Sequence, residues 1–505
     1  MSESKILDYN KQEVRDRLLH ALRSYTKEWT SADLARATGL PLAQINAEMP
    51  TISDEYRGRI RVSERGDLLY SFPNGFKSKY KGFGPSMRRL WKTITKGAVE
   101  TGKFLFKVWI LVTLFGYFFI FLALALVALF GSVAMRGGGS RDSDDRRGGG
   151  GLGGLWLTTN LFDSMIRLWF YSELFKGPED RYRSAQAKAQ RRPLHKAVFS
   201  HVFGDGDPNA EWDTILKKAF VAFVQTHKGV ISLPEFMAIS GLKPEEAEDC
   251  ITRYLVEFEG SPEVTENGAL YFFFPSLLTK TATVSGVTAS TFPTKKLHRF
   301  SSNPEKMDRT FRWVNIFNLV FGSYYLWNAI NLGTAIIVQT PEGTGLKGGL
   351  SFLYSYTVYL FSMLGASQPV VLVGWLLGVA PLAFSILFFG IPIVRSLLIK
   401  RENEKIKHEN MRRVLYSAVI ANPQYFDPHS IQLPANEVRP EKTNALLEET
   451  QHLAAWSRGE ISPEGKWTFS DIEFIEREVE RVRASIDEKD YSPQKTVFDT
   501  DSPIS

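Results

Sequence analysis

The sequence predicts an α-helical membrane protein carrying α+β soluble modules, in which one small helix-and-hairpin pattern occurs three times and alternates with two transmembrane hairpins. Three observations lead there. Long uncharged runs occupy residues 108–134 and 313–338. Basic residues outnumber acidic ones in the stretches beside the apolar runs. The stretch VSERGDLLYSFP at 62–73 returns as VTENGALYFFFP at 264–275, a gapless offset of 202 residues.

The spans come first. About 20 apolar residues cross a bilayer core, so 104–134, free of charge past Lys107, reads as a transmembrane helix. A second run, 152–175, carries Asp163 and Arg167 four apart, where they can pair on one helix face. Local evidence leaves two readings open: a crossing with an intramembrane ion pair, or an aromatic-rich helix lying in the interface. Residues 313–338 form another span and contain Asn315, Asn318, Asn328 and Asn331, polar groups expected to hydrogen-bond across to other helices. Residues 351–394 are uncharged and read as a short piece at 351–366 followed by a crossing at 370–394, kinked by Pro381 and Pro392.

Charge sets the expected topology. Residues 77–107 hold nine basic groups against one acidic, 176–196 and 279–312 each seven against two, and 395–413 seven against three. All four flanks therefore favour the cytoplasmic side, which requires an even number of crossings between neighbouring flanks. Residues 152–175 then cross or re-enter, 351–366 does not cross by itself, and both termini are cytoplasmic. Within these flanks Arg88, Arg89, Lys92, Lys96, Arg191, Arg192, Lys295, Lys296, Arg412 and Arg413 are candidate lipid-facing cations. The loop at 136–151, with four Arg against three Asp in a Gly-rich run, reads as a flexible linker and not a phosphate loop, since no Gly-Lys-Ser pattern follows.

The repeated segment has one order of elements. An amphipathic helix (12–26, 211–228) is followed by a short helix (31–38, 233–240), a glycine turn at Gly39 or Gly241, a further helix (41–49, 244–258) and a hairpin turning at Glu64-Arg-Gly-Asp67 or Glu266-Asn-Gly-Ala269. A divergent third copy takes helix 402–421, helix 441–455 and a hairpin around Gly465. Behind it, Ser470 to Glu473 is a capping-box pattern, and Ile472, Ile475, Val479, Val482 and Ile486 form an apolar seam expected to dock on its own domain, with a coiled-coil dimer as the alternative. The boundaries that follow are a first module at 1–76, basic linker 77–103, membrane hairpin 104–175, basic linker 176–210, second module 211–278, basic linker 279–312, membrane hairpin 313–399, third module with its last helix 400–490, and a disordered tail 491–505.

Helix, helix, glycine turn, helix, hairpin resembles the winged-helix variant of the helix-turn-helix fold, over roughly residues 10–75 and 211–277. The resemblance implies three winged-helix-like repeats, and such modules often bind DNA through the second helix of the turn. The charges oppose that use. Residues 243–259 carry Glu245, Glu246, Glu248, Asp249, Glu257 and Glu259 against Lys243 and Arg253, and the equivalent helices of the other copies are also net acidic. Such helices repel a phosphate backbone. The one basic exception is the first hairpin with Arg57, Arg59, Arg61 and Arg65, for which a solvated strand edge or anionic lipid is the expected surrounding.

Other chemistry is thin. Asp205, Asp207 and Asn209 match the start of a calcium loop, but Ala210 and Leu216 break the pattern, so a turn with Asp207 capping a helix from Pro208 is expected. His195 and His201 lie six apart, off one helical face, and do not suggest a metal pair. The single Cys250 excludes internal disulfides and cysteine-based metal centres. No nucleophile elbow, phosphate loop, zinc-protease or kinase motif occurs, so no enzyme activity and no cofactor are expected. The chain reads as a non-enzymatic, multi-pass scaffold, assembly factor or membrane-tethered regulator whose partners are membrane lipids and proteins, homo-oligomerisation included. A membrane-tethered DNA-binding regulator and a small channel or transporter are the alternatives. The formal charge of +6 supports this division, because residues 439–505 hold nine basic and fifteen acidic groups, leaving the excess in the four flanks.

Overall fold

The computed structural model of the chain describes residues 8–23, 28–64, 66–73, 75–76, 83–136, 193–280, 292–340, 343–431, 433, 438–440, 444–487, 491 and 496–500, with the side chains of 83–136 described over 99–127. It is mostly helical with small sheets. In chain order the first elements are α1 (Lys11–Arg23), α2 (Ser31–Thr38), α3 (Leu42–Tyr56), β1 (Arg59–Ser63), β2 (Leu68–Ser71), α4 (Phe83–Arg136) and α5 (Leu194–Phe203). Then come α6 (Trp212–Thr226), β3 (Val230–Ile231), α7 (Leu233–Ser240), α8 (Pro244–Glu257), β4 (Ser261–Val264) and β5 (Leu270–Phe273). The remainder is α9 (Glu305–Asn331), β6 (Ile337–Thr340), β7 (Gly343–Leu346), α10 (Phe352–Met363), α11 (Pro369–Val373), a π-helical turn (Gly374–Val379), α12 (Ala380–Ala421), α13 (Ala445–Ser457), β8 (Glu460–Ile461), β9 (Trp467–Thr468), α14 (Ser470–Ser485) and β10 (Thr496–Asp499). The chain divides into two compact units, residues 1–86, 207–298 and 400–505, and residues 87–206 and 299–399.

In the first unit, local chemistry recurs at the offset of 202. Thr30 caps α2 and forms a reciprocal box with Asp33, its Oγ1 accepting Asp33 N–H at 3.1 Å; Ser232 caps α7 with Glu235 in the same way, also at 3.1 Å. Both helices end on a left-handed glycine, Gly39 at φ 72° and Gly241 at φ 70°, a conformation a β-carbon penalises. Arg57 and Glu259 both leave the next helix at φ near 55°, and the glycine after each lies against the ring of Phe72 or Phe274. Trp29 bridges Tyr70, where Ile231 pairs with Phe272 in the three-stranded sheet β3-β5-β4.

The segments are joined by the same contact used twice. The backbone of Gly39 lies against Thr214 of α6, and that of Gly241 against Glu409 and Arg413 of α12. One contiguous core results, including Leu18 and Ile45, Phe220 and Tyr254, and Leu415 and Phe469. In the third segment a 3-10 turn at Pro428–Ser430 precedes α13, and Phe426 bridges Trp467 beside the hairpin β8-β9. The seam of α14 meets both its own segment, where α14 packs on α13 and Glu473 accepts from Gln424, and the second segment. Ile475, Val479, Val482 and Ile486 cover Val230, Tyr271 and Phe273, while Ile472 enters the main core.

Several expectations are corrected here. Helix 41–49 continues through Pro50 to Tyr56, because Ile52 and Tyr56 bury on the same face while Pro50 stays exposed. Helix 402–421 has no start of its own, since α12 runs unbroken from Ala380 through Pro392. The expected tail 491–505 contains β10, which pairs with β1 in the sheet order β10-β1-β2.

In the second unit, α4 packs with α5, α9 and α12 through Ile110, Leu114, Val198, Val202, Phe311 and Phe388, and a second cluster gathers Phe121, Tyr325, Tyr354, Val358, Val373 and Leu377. The π-helical turn lies just before Pro381, where the missing N–H frees a carbonyl and the helix rewinds. It permits close approach to α9: a β-carbon on Gly378 would fall 3.1 Å from the Leu326 backbone. The span expected to run to Val338 stops at Asn331 and turns into the hairpin β6-β7, while α10 is as short as the 351–366 piece predicts. Among the described residues two helical stretches are long and apolar enough to cross a membrane, Val99–Val127 and Pro369–Ala421. Most of each stretch's apolar surface is exposed, in keeping with membrane association. The expected run at 152–175 and the glycine-rich loop lie outside the described residues.

Candidate interaction site

The sharpest surface feature is one face of α8. Ala247, Cys250, Ile251 and Tyr254 recur at helical spacing and are buried, which turns Glu245, Glu246, Glu248 and Asp249 outward together. Pro244 at the first turn fits the helix start, and Glu246 accepts the Lys243 N–H at 3.5 Å. Glu257 leaves this face. It is buried and pairs with Lys217 at 2.7 Å. Burial pushes the Cys250 thiol up, and Arg253 donates to its sulfur at 3.3 Å.

The equivalent helices expose less charge. On α3, Glu48 accepts from Tyr9 at 2.9 Å and Glu55 pairs with Arg15. Burial and the Glu48 acceptor push the Tyr9 hydroxyl up to about 12. On α13, Glu449 pairs with Arg412 at 3.2 Å and with His408 at 3.1 Å. Between α1 and α6 lies a cleft of about 310 Å³ lined by both signs of charge, in which Arg17 is paired with Glu13 and Lys217 with Asp213.

The candidate lipid-facing cations divide. Arg412 and Arg413 are 6% and 3% exposed. Arg412 Nε donates to the Gly241 carbonyl at 2.8 Å and Arg413 Nε to that of Ile239 at 3.2 Å, so both close the carbonyl end of α7 and neither faces lipid. Lys295 pairs with Glu409 at 2.5 Å and covers the Trp212 ring, whereas Lys296 is exposed. Arg191, Arg192 and the side chains of Arg88, Arg89, Lys92 and Lys96 lie outside the described residues. On the first hairpin Arg59 pairs with Asp499 and Arg61 with Glu28, so that edge is largely neutralised.

Of the intramembrane candidates, Asn315 donates to the Ser385 carbonyl at 3.1 Å and Asn318 to that of Leu114 at 2.7 Å, both across helices. Asn328 and Asn331 instead fold back on Tyr324 and Trp327, one turn earlier in α9. Asp163 and Arg167 lie outside the described residues. Sequence reasoning misses a polar knot in this unit. Asp308 accepts from Asn303 at 2.8 Å and from Ser301, and lies 3.1 Å from His201 Nδ1. Burial pushes the Asp308 carboxyl up, but these partners outweigh it and hold it below the usual range. Arg395 donates to the carbonyls of Ser200, His201 and Phe300. Its signal is a lone arginine ending a long apolar run.

The three residues of the calcium-like spacing are hydrogen-bonded within the chain. Asp205 accepts from Ser200 and Ser302, Asp207 accepts the Asn209 N–H at 2.8 Å, and Asn209 donates to the Lys296 carbonyl. Asp207 thus closes a turn, and the helix starts later than expected, at Trp212. Among the described residues no group of three or more His, Cys, Asp or Glu side chains is arranged to hold a metal ion.

A second buried charged cluster seats α14. Arg483 Nη2 donates to Glu235 at 2.6 Å and to the Val230 carbonyl at 3.0 Å, Ser232 Oγ donates to Glu476 at 2.5 Å, and Lys228 donates to the carbonyls of Arg483 and Ile486. Burial, then the facing Glu235, push the Glu476 carboxyl up to about 8.

No family model matches the chain, and no solved structure does. The chain is similar to an uncharacterized chloroplastic protein of Arabidopsis thaliana, 24% identical over 425 residues, which is 81% of this chain and 73% of the relative.

Proposed function

We propose that the chain is a non-enzymatic, multi-pass membrane protein that holds three winged-helix-like modules on one side of the bilayer, where the second module binds a protein partner through α8. The observation that carries this reading is the outward acidic face of Glu245, Glu246, Glu248 and Asp249 on the helix that a winged-helix protein would offer to DNA. Four carboxylates together oppose a phosphate backbone and complement a basic protein surface. The paired caps and turns at Thr30/Ser232 and Gly39/Gly241 support the duplication of the modules. Asn315 and Asn318, engaged with carbonyls of neighbouring helices, favour packing over a transport path.

The test is charge reversal. Changing Glu245, Glu246, Glu248 and Asp249 to Lys is expected to abolish a cross-linked partner complex isolated from native membranes, with thermal unfolding of the chain unchanged. An undiminished complex overturns the assignment of α8.

A further inference from the structure

The outer edge of the first hairpin is occupied by the end of the chain. β10 runs antiparallel to β1 with Arg61 opposite Asp499 and Val62 opposite Phe498, and a bulge follows Val62. Thr500 N–H donates to the Ile60 carbonyl at 3.2 Å, and Ile60 N–H donates to Thr500 Oγ1 at 3.1 Å. Arg59 forks the Asp499 carboxylate, its Nε at 2.8 Å.

The second hairpin provides a comparison within the same molecule. At the offset of 202, Arg59, Ile60 and Arg61 become Ser261, Pro262 and Glu263. Proline has no N–H to give at the position where Ile60 holds the added strand, and a carboxylate replaces one of the two arginines. Among the described residues β4 has only β5 as a ladder partner. Of two hairpins with the same turn geometry, one is built to accept a strand and the other is blocked.

The grip on the added strand is light. Val497 is 69% exposed and Phe498 48%, so apolar contact holds β10 only in part. The rest of the hold is a short ladder and one forked ion pair. Strand addition of this kind takes affinity from the main chain and selectivity from a few side chains.

We propose that the β1 edge is an acceptor site for an extended, aspartate-bearing segment, and that residues 496–500 of the same chain occupy it as a displaceable latch. The inference goes beyond the α8 reading and does not depend on it, since it rests on a different module.

The test uses the full chain in detergent with Val62→Cys and Phe498→Cys, joined by a short bifunctional thiol reagent; the natural Cys250 is buried. An intramolecular cross-link is expected. An excess of synthetic peptide spanning residues 491–505 should lower its yield. Arg59→Glu should lower it about fivefold, the scale of one partly exposed ion pair, and adding Asp499→Lys should restore it. Ile60→Pro, copying Pro262, should abolish it with the melting temperature of the chain retained. A yield indifferent to peptide and to Arg59→Glu overturns the latch. A cross-link found only between two chains overturns its placement in cis.

Discussion

Arg483 of α14 and Glu235 of α7, 248 positions apart, form an ion pair at 2.6 Å with side chains only 7% and 9% exposed. Removing one partner strands a buried charge, which commonly costs about 3–5 kcal/mol. Arg483→Ala is therefore expected to release α14 from the second segment, read as faster amide exchange across 470–485. Arg483→Met with Glu235→Gln, which removes both charges, should recover most of that protection.

Glu476 gives the same contact a pH dependence. Its carboxyl is raised to about 8 when docked, first by burial and then by Glu235, with Ser232 and Arg483 favouring its charge and Glu480 opposing it. The docked state then binds the proton more tightly than the free helix. Docking is fully favoured at pH below the ordinary carboxylate range and weakens as pH rises through about 8. The protection factor of the α14 amides, after correction for the pH dependence of intrinsic exchange, should fall over that window. Glu476→Gln should remove the dependence while leaving the Arg483–Glu235 pair in place.

The turns after α2 and α7 predict a graded glycine series. A β-carbon at Gly241 would meet the Glu409 carbonyl at 2.5 Å in addition to the positive φ, whereas Gly268 at the hairpin tip, also at positive φ, has nothing within 4 Å. Gly241→Ala is expected to cost about 2–4 kcal/mol, and Gly268→Ala only about 1 kcal/mol. Denaturant unfolding of the two variants side by side checks the order.

Within the apolar-helix unit the equivalent comparison is Gly378 against Gly390. The first faces the Leu326 backbone at 3.1 Å and the second has open space around it. Gly378→Leu should lower the melting temperature in detergent, and Gly390→Leu should leave it near the parent value.

What the sequence discloses follows from how local each signal is. The caps at Thr30 and Ser232, the glycine turns and the Asn267-Gly268 hairpin are legible because a few adjacent residues dictate them. Pro50 misleads, since burial of Ile52 and Tyr56 outweighs the one hydrogen bond it removes. Arg412 and Arg413 look like membrane-flank cations until α7 ends against them, a relation set by tertiary structure. β10 is hidden in a polar tail because its partner strand lies more than 430 positions away. The acidic face of α8 is readable as a charge count, but only burial separates Glu257, which is internal, from the four residues that face out.

The measurement that bears most directly on the central claim is thiol labelling of single-cysteine variants in intact cells with a membrane-impermeant reagent. Ser143→Cys and Thr344→Cys should be labelled, and Ser78→Cys and Ser502→Cys should react only after the membrane is opened. Labelling of Ser78→Cys or Ser502→Cys in intact cells would contradict the proposed placement of all three modules on one side of the membrane.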